Sequence, residues 1–216
     1  MVAYDEEWES TALLSYGYSA TTLARLLLSS VSDRFFMKWG VEFYPITDVF
    51  WDSYDYPANE DIMMDEAIDE TGFVTGVTTV GYITVDVLVA FTDQEIPTIY
   101  GYCYGYSDRE LGVVLVRHAY PSGVGQATDN VLQHELSHLY NTTDEWVRDF
   151  DCIMNAYGYW IDFPYYYEVP TALTTTNWCE DCLATIGANL DNWGDFCHGG
   201  GSGNIYPVPY QGRWIT

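Results

Sequence analysis

The stretch "NVLQHELSHLYNTTDEW", residues 130–146, holds His-Glu-x-x-His at residues 134–138 and an Asp, Asp144, six residues past the second His. On a helix, side chains four apart project from one face, so His134 and His138 can reach one ion together. Glu135 lies one step round from His134, where a carboxylate can stand over a water held by that ion. Zinc with three protein ligands keeps one position open, and the water there falls to a pKa of about 7. A glutamate beside such a water can take its proton and pass it to a leaving group. The bland alternative is a helix with two surface histidines. The third ligand has to come from downstream, where Asp144, Asp149, Asp151 and Glu168 are available.

Working outward, 216 residues make one large domain or two small lobes around a cleft. With 48% hydrophobic and 17% aromatic residues, including 20 Tyr, the chain has enough apolar surface to fold. Its formal charge of −25 comes from 32 acidic against 7 basic residues. That balance argues against nucleic acid and anionic membranes as partners, because phosphate binding needs clustered Lys and Arg. It fits a solvated surface in salty or acidic surroundings. Calcium among the carboxylates is the sharper reading, although no D-x-[DN]-x-[DN]-G loop occurs. No apolar run reaches membrane-spanning length, and "MVAYDEEWES" does not read as a secretory leader. The chain is therefore expected to be cytosolic or to have lost a leader.

Helical spacing of Leu23, Leu26, Leu27, Val31 and Phe35 predicts a helix that stops at Gly40. "VEFYPITDVFW", from residue 41, reads as a strand with a bulge or edge at Pro45. "NEDIMMDEAIDETG" reads as a second helix. "VDVLVAF" (85–91) and "GVVLVRHAY" (112–120) are apolar runs of the kind buried strands show. Asn130 and Gln133 have the spacing of a cap for the helix of His134. Residues 155–177, rich in Pro, Tyr and Thr, read as loop, followed by a short helix over "CEDCLATIGANL" and an irregular tail. Helix–strand alternation before a loop-rich end predicts an α/β fold: an upper subdomain over 1–140 and a small lower one over 141–216, together one catalytic domain.

"HELSHLYNTTD" resembles the metzincin signature H-E-x-x-H-x-x-G-x-x-H, and "CIMN" at 152–155 resembles the Met-containing turn beneath the metal in that family. The resemblance implies a zinc-dependent endopeptidase with a mixed five-stranded sheet above a horizontal cleft. It puts His134, His138 and Asp144 on one catalytic zinc, makes Glu135 the base and lays Met154 under the site. Two positions depart from the signature. Asn141 replaces the Gly, where a sharp exit with positive φ is needed, and Asn is the next most tolerant residue. Asp144 replaces the third His, as in snapalysin-type metzincins.

Cys152, Cys179 and Cys182 also match three of the structural-zinc cysteines of archaemetzincins, but Glu145 stands where the fourth would be. The resemblance thus leaves two outcomes. One is a disulfide from Cys152 to Cys179 or Cys182, the simpler reading, which places the protein outside the cell. The other is a second zinc completed by Cys197 or His198, which places it in the cytoplasm. His118 reads as a packed or hydrogen-bonded histidine.

In metzincins the strand before "GVVLVRHAY" forms the cleft's upper rim. The resemblance therefore makes Thr98, Tyr100, Tyr102 and Tyr104 a rim for an extended peptide or protein substrate, and Tyr157 and Tyr159 a pocket wall. The rival class is an extracellular structural or binding protein on the same fold, self-assembling through its acidic, Tyr-rich surface. The charge alone makes a prediction: self-repulsion is screened beyond a Debye length of about 8 Å at physiological salt. The melting temperature should therefore rise from low to physiological salt. A flat response in thermal unfolding would mean that the carboxylates are paired with bound cations.

Overall fold

Tertiary context gives the chain a strand at its very start, β1, Val2–Tyr4. The computed structural model describes residues 1–53, 57, 59–98, 101–119, 127–144, 151–155, 158–161, 167–170 and 175–190. Asp5 accepts a hydrogen bond from the Trp8 backbone N–H at 2.8 Å and so caps α1, Glu6–Thr11. A π-helical turn, Ala12–Tyr16, leads to α2, Ala20–Trp39, which Ser19 caps and Gly40 ends at φ 73°. The strand expected from residue 41 shrinks to β2, Asp48–Phe50, since Pro45 has no N–H to give a ladder. α3, Glu60–Thr71, runs from an Asn59 cap to Gly72.

A small hairpin of β3, Thr79–Val80, and β4, Ile83–Thr84, precedes β5, Leu88–Thr92. β6, Ile96–Thr98, and β7, Gly101–Cys103, pair with each other, so Thr98 faces Gly101 and Tyr102 faces Pro97. β8, Gly105–Asp108, and β9, Val113–Arg117, follow. The histidine helix is α4, Ala127–His138. Residues 155–177 are not all loop, because β10, Gly158–Ile161, pairs antiparallel with β11, Tyr167–Pro170. α5, Glu180–Asn189, is the short C-terminal helix.

The central sheet has the order β2-β1-β5-β9-β8, parallel except for β8 against β9. Both faces of β5 and β9 are buried, which explains why these strands read as unbroken apolar runs. Val89, Phe91, Val114 and Val116 point to one side, into a core with Leu28 and Phe35 of α2 and Leu132 and Leu136 of α4. Leu88, Ala90, Val113 and Leu115 point to the other, against Met63, Met64 and Ala67 of α3. Cys152, Ile153, Met154, Trp178 and Ile186 join the first core, so these segments pack directly beneath α4.

α4 is locked to α2 by one cation. The Arg34 guanidinium donates to Asn130 Oδ1 at 3.0 Å, to Gln133 Oε1 at 2.6 Å and to the Asp129 carboxylate. Asn130 and Gln133 are therefore not a cap as their spacing suggested, since the helix already begins at Ala127. Trp178 packs on Phe35 and Trp39 at ring-centroid distances of 5.0 and 4.8 Å and donates its indole N–H to Ser137 Oγ at 2.8 Å. His118 is packed and bonded as expected, with Nε2 2.6 Å from the Tyr16 hydroxyl.

Asp5 is a buried carboxyl with acidic neighbours, and burial pushes its pKa from 3.8 up to about 7. The unfolded chain releases this proton near the ordinary value, whereas the folded chain keeps it to about pH 7. Between those limits unfolding loses a proton, so stability should fall as pH rises, by up to about 1.4 kcal/mol per pH unit. Asp5→Asn keeps a capping oxygen and removes the titration. Urea unfolding at pH 5 and pH 7 should show a smaller drop in the variant; an equal drop in both chains would dismiss Asp5 as its source.

Candidate metal centre

α4 ends in a way that brings its own downstream chain back under its last turn. The Tyr140 and Asn141 N–H groups bond the carbonyls of Ser137 and His138, and Asn141 then adopts φ 67°. No other non-glycine among the described residues has positive φ. Asn tolerates the left-handed region better than most residues, and the Arg109 guanidinium donates to its side-chain oxygen. The reversal points the Thr142 carbonyl at His138 Nδ1, 2.9 Å away. From the turn at 152–155, the Ile153 carbonyl meets His134 Nδ1 at 2.8 Å.

A carbonyl oxygen only accepts, so both Nδ1 atoms carry their hydrogens. The two Nε2 lone pairs are then turned to the same point, 3.1 Å from each other. Asp144 Oδ1 lies 3.1 Å from His134 Nε2 and 3.5 Å from His138 Nε2. With neutral rings in this tautomer, that buried oxygen has no donor to bond. Two lone pairs and a carboxylate oxygen converge on one point, an arrangement that a cation satisfies, and the donor set suits zinc. Without a metal, a proton takes this role. Burial would lower the pKa of His134, but the bond to Asp144 and the field of Glu135 outweigh it and raise it to about 9. The same imidazoles, against the cost of burial, hold Asp144 well below the usual carboxylate range.

Glu135 reaches the centre from the side, with Oε1 3.9 Å from His134 Nε2. Its Oε2 accepts a 2.8 Å hydrogen bond from Ser107 Oγ on β8. Met154 is fully buried, with Thr142 Oγ1 3.8 Å from its sulfur. His134, Glu135 and His138 thus form one cluster of possible ligands, to which the ion-pair distances add Asp144. Of the rival ligands, Asp151 bonds Asn177 and Thr175, Glu168 belongs to β11 and Asp149 is outside the described residues.

A second cluster lies beneath. Cys152, Cys179 and Cys182 have their sulfurs within 4.8 Å of one another, and none of the three is in a disulfide. The expected disulfide from Cys152 is therefore absent: its sulfur is 3.6 Å from that of Cys182, against about 2.05 Å for a bond. Hydrogen bonding from Cys182 draws the Cys152 thiol down to about 6, while the same contact raises Cys182. Cys197 and His198 lie outside the described residues.

Among the described residues the sheet ends in β2 on one side and in β8 on the other, and β8 overlaps the segment expected as the rim, 98–106, at Gly105 and Tyr106. Of the rim candidates, Thr98 and Tyr102 are paired in the β6–β7 hairpin, Tyr104 directly precedes β8, and Tyr100 is outside the described residues. Tyr159 lies on β10, and Tyr157 is outside the described residues. Ser107 and the Ile153 and Thr142 carbonyls had no sequence signal, because a hydroxyl or a peptide oxygen carries no recognisable spacing.

No family model and no curated protein matches the chain. No helix among the described residues is long and apolar enough to cross a membrane. Among solved structures, the fold is similar to that of a zinc-dependent peptidase from Methanocorpusculum labreanum (strain Z), at 12% identity and TM-score 0.52, over 86% of this chain and 98% of that one.

Proposed function

We propose that this protein is a zinc-dependent endopeptidase of metzincin type, with His134, His138 and Asp144 as metal ligands and Glu135 as the base. The observation that carries the reading is the convergence of two Nε2 atoms and Asp144 Oδ1 at 3.1 to 3.5 Å. Nitrogen and oxygen ligands about 2.0–2.2 Å from a tetrahedral zinc stand about 3.3 Å apart. That the similarly folded protein is a zinc-dependent peptidase supports the same choice. Bound there, zinc would act as Lewis acid toward a peptide carbonyl and would lower the pKa of a water.

The remaining work falls to the chain. The Ile153 and Thr142 carbonyls hold the imidazoles in one tautomer and orientation. Glu135 accepts the proton of the attacking water and delivers it to the leaving amine. β8, at the edge of the sheet among the described residues, offers main-chain groups to which an extended peptide can add. We assign Cys152, Cys179 and Cys182 to a second, structural zinc. Sulfurs at about 2.3 Å from one ion lie about 3.8 Å apart, close to the 3.6 Å between Cys152 and Cys182. Such a site fits a reducing compartment and removes the reason to expect secretion.

Glu135→Gln should keep its zinc and lose about a hundredfold or more in turnover. Asp144→Ala should lose one zinc per chain together with the activity, and Cys152→Ser should lose the other. Metal analysis beside peptide-cleavage assays reads all three. Full metal content and activity in Asp144→Ala would mean that the third ligand is another residue. No cleavage by the zinc-replete wild type would favour a binding or structural protein.

A further inference from the structure

The base of the proposed reaction is gripped by a strand far from it in sequence. Gly105 and Ser107 are two residues apart on β8 and so share a face of the sheet. Their register partners on β9, Val116 and Val114, are buried in the core that holds Leu132 and Leu136 of α4, so this face looks at the histidine helix. Glu135 lies between. A Cβ added to Gly105 would sit 2.5 Å from both Cγ and Oε1 of Glu135 and 2.8 Å from Cδ. Gly105 is not among the residues of positive φ, so its backbone does not ask for glycine. The Glu135 side chain does, because it crosses directly over the Gly105 Cα.

Ser107 completes the arrangement. Its hydroxyl donates to Oε2 at 2.8 Å and leaves Oε1 turned toward the histidines, 3.9 Å from His134 Nε2. A free glutamate has three rotatable torsions, and ordering them costs conformational entropy. Here one side of the side chain is confined by bare backbone and one oxygen is tethered. Resting on the peptidase reading, we propose that Gly105 and Ser107 are positioning residues for Glu135: the glycine leaves open the lane that the side chain occupies, and the serine assigns its two oxygens different tasks. The strand that offers an edge to substrate therefore also aims the base.

Two measurements test this. The first is kinetic, with bound zinc measured in parallel. Ser107→Ala should lower kcat about tenfold while KM stays within about twofold and zinc content is unchanged. Ser107→Thr, which keeps the hydroxyl, should recover most of the loss.

The second needs no turnover. Gly105→Ala should lower the melting temperature by about 4 °C or more in the wild-type background, because the methyl group and Glu135 compete for one space. In a Glu135→Ala background the same substitution should cost almost nothing. If Gly105→Ala does not fold in the wild-type background but does in Glu135→Ala, the steric half stands. Equal losses in both backgrounds, or an unchanged kcat in Ser107→Ala, would overturn the assignment. A zinc-loaded wild type that cleaves no peptide would defeat the peptidase reading, and this inference with it. An active wild type with uncoupled substitutions would defeat this inference alone.

Discussion

Two main-chain carbonyls decide what α4 can do. An imidazole offers a lone pair from only one nitrogen, and which nitrogen depends on where its hydrogen is held. The Ile153 and Thr142 carbonyls hold both hydrogens at Nδ1, and neither could do so without the chain reversing after His138. The left-handed turn at Asn141 supplies one carbonyl and brings Asp144 up; the tight turn at 152–155 supplies the other. The centre thus belongs as much to the backbone beneath the helix as to the side chains on it.

That backbone is held by the rest of the fold. Ile153 donates its N–H to the Asn177 carbonyl at 2.6 Å, and Trp178, the next residue, wedges between α2 and α4. Arg34 fixes α4 from above through three of its side chains. Breaking such a buried network leaves unpaired polar groups, a far larger cost than loss of a surface pair. The cysteine trio joins Cys152 of the turn to α5 and its leading residue, so a metal there would fasten the floor of the histidine site.

The long helices and the two apolar strands were legible because their signals are local. α2 and α3 carry their period, their caps at Ser19 and Asn59 and their terminal glycines within one window. The approach of His134, His138 and Asp144 to one point is likewise encoded within eleven residues. Strand β1 was not legible: three residues are too few for alternation, and their burial is decided by β5 and β2. Pairing two cysteines and gathering three unpaired ones leave the same spacing in sequence, so the 3.6 Å separation of the Cys152 and Cys182 sulfurs was not legible there. The approach of β8 to Glu135 was hidden for the same reason, since it spans 28 positions.

The place of β1 has a consequence for how the chain reaches this structure. Val2 pairs with Asp48 on one side and with Val89 on the other, so β1, though it precedes the other strands of the sheet in sequence, is an interior strand. Of its two parallel partners, β2 follows α1 and α2, whereas β5 arrives only after α3 as well and needs β9 in turn. Parallel ladders between such distant segments close large loops before any contact rewards them, and chains built this way fold slowly. Until residue 117 has emerged, the apolar faces of β1 and β5 stay uncovered and open to association. The sparsity of positive charge then has a second use: nascent chains with so many carboxylates repel one another while those faces wait for their partners.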